Sequence, residues 1–300
     1  MRYRLLPQRH PETAAKRRGK RAVACAGVLL ASVTALVSAG TFDPSPATAA
    51  APATRPDGPS EVPASVQPNS RPQVTAAVLS MDGRDRRTAV YGDDTPYDTA
   101  SIIKVDILAT LLLQAQDAGR TLDAHERALA EAMIKHSDND SANALWREIG
   151  LAPGLEAANK RLGLTSTKGG AGFLWGLTQT TASDQIRLLG AVFGTGSVSN
   201  TGTGPLNEAS RAYITSLMAH IESDQSWGVS SAAGSGWALK NGWLQRSATG
   251  LWDINSIGQV TVNGHRYLVA VLSAGNASMN DGISLVERTA RTAVASAAGR

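Results

Sequence analysis

Three short strings stand out for the chemistry their side chains can do: Ser101-Ile102-Ile103-Lys104, Ser137-Asp138-Asn139 and Lys240-Asn241-Gly242. A serine followed three residues later by a lysine on a helix puts a hydroxyl and an amine on neighbouring positions of one face. That pairing suits a nucleophile and its base. A helix N-terminus favours negative charge developing on the serine oxygen, and a buried lysine gives up its proton far more readily than a solvated one. Ser101 is therefore a candidate to attack a carbonyl carbon, with Lys104 as its partner. Each string also has a plain structural reading. A capping serine with a solvated lysine, a helix N-cap at Ser137-Asp138-Asn139, and an exposed Lys240 beside a turn would look the same.

The elements that must carry these residues follow from periodicity and turn signals. Val74 to Ser80 and Arg87 to Tyr91 read as two strands joined at Asp82-Gly83. Helical patterns then run over Ser101–Gln116, Leu122–Lys135, Ser141–Ile149, Gly154–Leu162, Thr181–Phe193 and Asn207–Ile221. The first of these shows an apolar face of Ile103, Ile107, Leu108 and Leu111, and it stops at Gly119. Strand character returns over Trp237–Gly242, Leu251–Val262 and Arg266–Ser273, with Asn263-Gly264 as a tight turn, before a last helix from Asp281 to Ala297. Strands at both ends with helices between predict an α/β (α+β) fold. One antiparallel sheet forms from the N- and C-terminal segments and packs with helices, and an all-helical subdomain is inserted between them.

The chain has 300 residues and a formal charge of +4. Its first residues are basic (Lys16, Arg17, Arg18, Lys20, Arg21), then apolar from Ala22 to Gly40, then small at Ala47-Thr48-Ala49. That order predicts a secretory signal peptide over residues 1–49, with an uncleaved membrane anchor as the alternative. Residues 1–49 hold eight Lys/Arg and two Asp/Glu, so the remainder carries 21 against 23, near −2. The basic balance belongs to the leader and argues against a nucleic-acid partner. Residues 50–72 are rich in Pro, Ala, Ser and Thr and read as a tether, which leaves 73–300 as the folded domain. Cys25 is the only cysteine and lies in the leader, so no disulfide is expected. No His, Cys or carboxylate grouping has metal-ligand spacing and no Gly-rich phosphate loop follows a strand; neither a metal nor a cofactor is expected. Oligomeric state has no signature in the sequence.

Taken in order, the three strings resemble the S-x-x-K, S-D-N and K-T-G signature of class A β-lactamases and penicillin-binding proteins. The resemblance extends to Leu129–Asn139, which is similar to that family's helix running into its middle motif. It also takes in Thr180–Ser183 and Trp252–Val262, and it covers about Gln73 to Ala297. It implies a secreted serine hydrolase that forms an acyl-enzyme on Ser101 with a β-lactam or a peptidoglycan peptide, with Lys104 activating the serine and Ser137 passing a proton to the departing nitrogen. It also implies that Asn139 holds the substrate amide, Lys240 and Asn241 serve its carboxylate, and Gly242 and Trp243 line the cleft, the backbone N–H groups of Ser101 and Trp243 forming the oxyanion hole.

Three departures qualify that picture. From Ala157 to Ser183 there is no Asp or Glu, so the family's omega-loop glutamate has no counterpart and an acyl-enzyme should clear slowly; the alternatives are a D,D-peptidase-like enzyme on peptidoglycan stems or a non-hydrolytic protein that binds penicillin or cell-wall peptides. Asn241 stands where the family carries Thr or Ser, and the span from Lys104 to Ser137 is short, which predicts a more open cleft. Among the remaining candidates, His136 is expected to cap or pack, and Asp106 either tunes Lys104 or decorates a first helical turn. Trp227, Trp237, Trp243 and Trp252 are expected to pack in the core or cleft wall.

Overall fold

The strand Leu268-Val269-Ala270-Val271-Leu272 is apolar on both of its alternating faces, which a sheet tolerates only when both faces are covered. In the computed structural model, which describes residues 71–82, 87–194 and 204–299, this strand is β7 (His265–Asn276) at the middle of a five-stranded antiparallel sheet. Its neighbours are β1 (Gln73–Ser80) on one side and β6 (Trp252–Val262) on the other; β2 (Ala89–Tyr91) and β5 (Gly236–Gln245) are the edges. Leu268, Ala270 and Leu272 join one core with the central helices. Val269 and Val271 join a second core beneath α7 (Met279–Ala298). The predicted turn at Asn263-Gly264 closes β6 onto β7, with both residues at positive φ, 51° and 81°, as a two-residue type I′ hairpin requires. The predicted pairing of the first two strands forms, while Gly83 of their connection lies outside the described residues, as do the leader and most of the tether.

Between the sheet halves run α1 (Ile103–Asp117), α2 (Ala124–Lys135), α3 (Asn139–Glu148), α4 (Leu151–Leu162), α5 (Ala182–Phe193) and α6 (Glu208–Met218). A two-stranded ribbon, β3 (Tyr97–Asp98) with β4 (Gln179–Thr180), is too short for alternation to reveal it. The fourth helix starts three residues before its predicted Gly154, because Pro153 falls in the first turn, where its missing N–H costs nothing. The first helix differs more. Ser101 sits in a separate 3-10 turn, Ala100–Ile102, and α1 is buried nearly all round rather than on one stripe. Among the described residues no helix is long and apolar enough to cross a membrane.

Burial of α1 encloses Asp106 as well as Lys104. Asp106 Oδ2 accepts a 3.0 Å bond from Asn159 Nδ2 on α4, while Asp106 Oδ1 and Asn159 Oδ1 are both buried without a partner. An ionised carboxyl is acceptor-only, whereas a protonated one has a donor as well. Burial pushes the Asp106 carboxyl up to about 7, and the charge of Asp184 adds to it against the Asn159 bond. A carboxyl raised from 3.8 contributes stability that is complete below about pH 4 and lost as pH rises through about 7. Asp106→Asn removes that loss, so urea melts should show the variant gaining about 1–4 kcal/mol on the wild type between pH 5 and 8.5. A constant difference across that range contradicts a protonated Asp106.

Candidate active site

The Ser101 turn is held by three hydrogen bonds from two sides. Asn255 Nδ2 on β6 donates to the carbonyls of Asp98 (2.8 Å) and Thr99 (3.1 Å), and Thr99 N–H donates to Thr178 O at 2.9 Å. Ala100, the residue before the serine, is at φ +46°, a conformation a non-glycine residue occupies only when its surroundings impose it. Neither this turn nor α1 has a side-chain cap, so Ser101 is not the capping serine of the plainer reading.

Lys104, one turn on, is fully buried. Its Nζ donates to Ser137 O (2.6 Å), Ser137 Oγ (3.1 Å) and Asn139 Oδ1 (2.8 Å), and it sits 5.0 Å from the Trp175 ring centre. Lys240, also fully buried, reaches the same hydroxyl from β5: its Nζ donates to Ser137 Oγ at 3.0 Å and to Asn241 O at 2.9 Å. Two lysines far apart in the chain are thus joined through one serine oxygen. The middle string divides its labour. Asp138 is the N-cap of α3, accepting from Ser141 N at 2.7 Å, which leaves Ser137, at φ +55°, and Asn139 to turn inward.

Burial governs the charges here. It pushes Lys104 down to about 7 against the pull of Asp138, and it holds Lys240 well below the lysine range, with the Lys104 charge adding to the effect. At neutral pH a large fraction of Lys104 is a free amine, which a solvated lysine is not. Among the described residues its hydrogen bonds go to Ser137 and Asn139 rather than to Ser101.

A cleft of about 600 Å³ opens over Ser101, Ser137, Asn139 and Trp243. Its far wall is the predicted Gly-rich connection, where Phe173, Leu174 and Trp175 line the space. That connection is pinned by Trp146 Nε1 donating to Gly172 O at 2.7 Å and by Trp175 Nε1 donating to Asn143 Oδ1 at 2.8 Å. Among the described lining residues none is a carboxylate.

Three expected contacts come out differently: Lys240, expected at the substrate carboxylate, is fully buried behind Ser137 and does not line the cleft. Asn241 does not offer its amide to the cleft: strand alternation turns it to the opposite face from Lys240, where it is fully buried and Nδ2 donates to Gln225 O (2.7 Å) and Trp227 O (3.0 Å). Gly242 lines no part of the cleft either; it lets β5 approach the Ser101 turn. Trp243 faces the cleft and packs on Trp227 with ring centres 6.1 Å apart. His136 pairs with Glu222 at the surface, 2.6 Å away. The sequence reading missed Asn143, Trp175 and Arg246; a tryptophan within a Gly-rich connection was the available signal for the second.

The family model described as the beta-lactamase enzyme family matches residues 120–297, more than half of the chain. The chain belongs to this family. It is thereby a β-lactamase-like serine hydrolase by descent, and its fold is shared with solved structures. The extended-spectrum β-lactamase TLA-1 is 16% identical with a TM-score of 0.63, covering 75% of this chain and 94% of its own. A β-lactamase from Chitinophaga pinensis is 17% identical with the same score and coverage. A point mutant of PBP-A, solved as an acyl-enzyme complex with penicillin G, is 20% identical with a TM-score of 0.59, covering 75% and 90%. The chain matches no curated protein.

The approach of β5 to the serine turn gives a test that needs no substrate. A Cβ on Gly242 would meet Thr99 O at 2.8 Å, Ser101 N at 2.9 Å and Ile102 N at 3.0 Å, all backbone atoms, whereas one on Gly236 of the same strand meets nothing within 4 Å. Gly242→Ala should cost about 1–3 kcal/mol, a fall of several degrees in Tm, and Gly236→Ala almost nothing. Equal melting temperatures would show that the strand and the turn are not in contact.

Proposed function

We propose that this family member is an exported penicillin-binding serine hydrolase that acylates Ser101 quickly and releases the acyl group slowly. The observation that carries the reading is the buried Lys104–Ser137–Lys240 group beside Ser101 in a cleft with no carboxylate among its described lining residues. In acylation the neutral amine of Lys104 takes the Ser101 hydroxyl proton as Oγ bonds to the carbonyl carbon. The carbon–nitrogen bond then breaks, and Ser137 Oγ–H protonates the departing nitrogen and is reprotonated from the lysines bonded to it. The N–H groups of Ser101 and Trp243 receive the oxyanion, and Asn139 the substrate amide.

Deacylation repeats attack on the ester carbonyl with water, which needs a base near that water. The cleft offers aromatic and aliphatic side chains there: Phe173, Leu174 and Trp175. Support comes also from PBP-A, a neighbour in fold of which one mutant was captured as a penicillin acyl-enzyme. The natural acyl donor in this reading is a peptidoglycan peptide amide, with β-lactams as its mimics, and the basic–apolar–small leader carries the chain out of the cytoplasm.

Intact-mass measurement of the chain without residues 1–49, incubated with a fluorescent penicillin, should show one adduct per chain, on Ser101, that persists for hours. Ser101→Ala should show none. Lys104→Arg, whose guanidinium cannot act as a base, should slow labelling by about 10²-fold or more. Labelling that survives Ser101→Ala refutes the nucleophile, and rapid release with many turnovers refutes the slow step.

A further inference from the structure

Arg246 is the one charged residue among the described residues that line the Ser101 cleft; both lysines lie deeper, behind Ser137. It follows the last residue of β5, and its backbone is fixed in the β5–β6 turn: its N–H donates to Leu251 O at 2.8 Å and its carbonyl accepts from Gly250 N at 2.7 Å. Its guanidinium is fixed too, bonded to Asp98 Oδ2 through one terminal nitrogen and 3.9 Å from Asp253 Oδ2 through Nε. The two carboxylates are 11% and 8% exposed and the arginine 39%, so a ligand in the cleft meets the cation and not the anions behind it. A cationic ligand group is thereby disfavoured. An anion meets a guanidinium already held in place, with its remaining N–H donors free of rotamer entropy.

Direction along β5 says which part of a substrate this is. The strand runs from Lys240, bonded to Ser137, past Trp243 to Arg246. Ser137 serves the departing nitrogen in the function proposed above, on which this step rests, so Arg246 lies on the opposite, acyl side. Three residues of strand separate it from Trp243, about 10 Å. We propose that Arg246 is an anion subsite selecting acyl donors that carry a carboxylate about 10 Å from the reacting carbonyl.

Burial raises both carboxyls above their usual range, Asp253 to about 6 with the Asp98 charge adding to it, while Arg246 opposes the rise in each. The two acids hold the guanidinium from behind, and neither lines the cleft.

Two penicillins test the subsite: 6-aminopenicillanic acid acylated with adipic acid, and the same nucleus acylated with hexanoic acid, equal in length and differing by a terminal carboxylate for a methyl. The second-order rate of Ser101 labelling should be at least tenfold higher for the adipoyl compound. The ratio should fall to about one in Arg246→Gln, persist in part in Arg246→Lys, and rise in Asp253→Asn, which removes an opposing charge and keeps the arginine. Reading a ratio cancels any general loss from a loosened turn. Equal rates in the wild type, or a ratio that survives Arg246→Gln, overturn the subsite while leaving acylation of Ser101 standing. Labelling by neither compound overturns the proposed function, and the subsite falls with it.

Discussion

Two lysine amines buried around one serine hydroxyl set the terms for the rest of this structure. Taking an ammonium out of water costs several kcal/mol, and two near each other cost more. The cost is offset here by fixed acceptors: the Ser137 carbonyl and hydroxyl, Asn139 Oδ1 and the Asn241 carbonyl. Such acceptors are useful only if they arrive together. The α2–α3 junction must therefore hold Ser137 at positive φ, α1 must run through the middle of the helical layer, and β5 must lie against the serine turn without a side chain at Gly242. Incomplete compensation is what leaves Lys104 with a proton it readily loses.

The same constraint explains the placing of the anions. The carboxylates nearest the cleft are withdrawn from it: Asp98 and Asp253 sit behind Arg246, Asp138 is spent on the N-cap of α3, and Asp106 is sealed between α1 and α4. A carboxylate free in the cleft would steady the charged form of Lys104 and raise it away from neutrality. Aromatic groups face the two amines instead, Trp175 at 5.0 Å from Lys104 Nζ and Trp243 at 5.9 Å from Lys240 Nζ. They exclude water without supplying a base.

Much of this was legible from residue types. The three strings named Ser101, Lys104, Ser137 and Lys240, and the strand–helix–strand order gave the sheet and the inserted helices. What was not legible was parity and depth. Asn241 was read as serving the substrate carboxylate because the resembled family carries Thr or Ser there, yet strand alternation alone sends consecutive residues to opposite faces, and that signal was present. Lys104 and Asp106 made α1 look half-exposed, since charged side chains ordinarily mark a solvent face; only the packing of α3, α4 and α6 around that helix shows otherwise. Arg246 and Asn143 carry no local pattern at all. They reach the cleft through tertiary contacts, by a hairpin turn and by the Trp175 indole.

The pH dependence of the second-order rate of Ser101 acylation by one penicillin tests the buried amine most directly, because it reports the free enzyme's base. A rise of about tenfold per pH unit from pH 5, bending to a plateau at a midpoint near 7, is the expected profile. A rate flat from pH 5 to 8, or still climbing steeply at pH 9 as for a solvated lysine, would contradict Lys104 as the group that takes the proton.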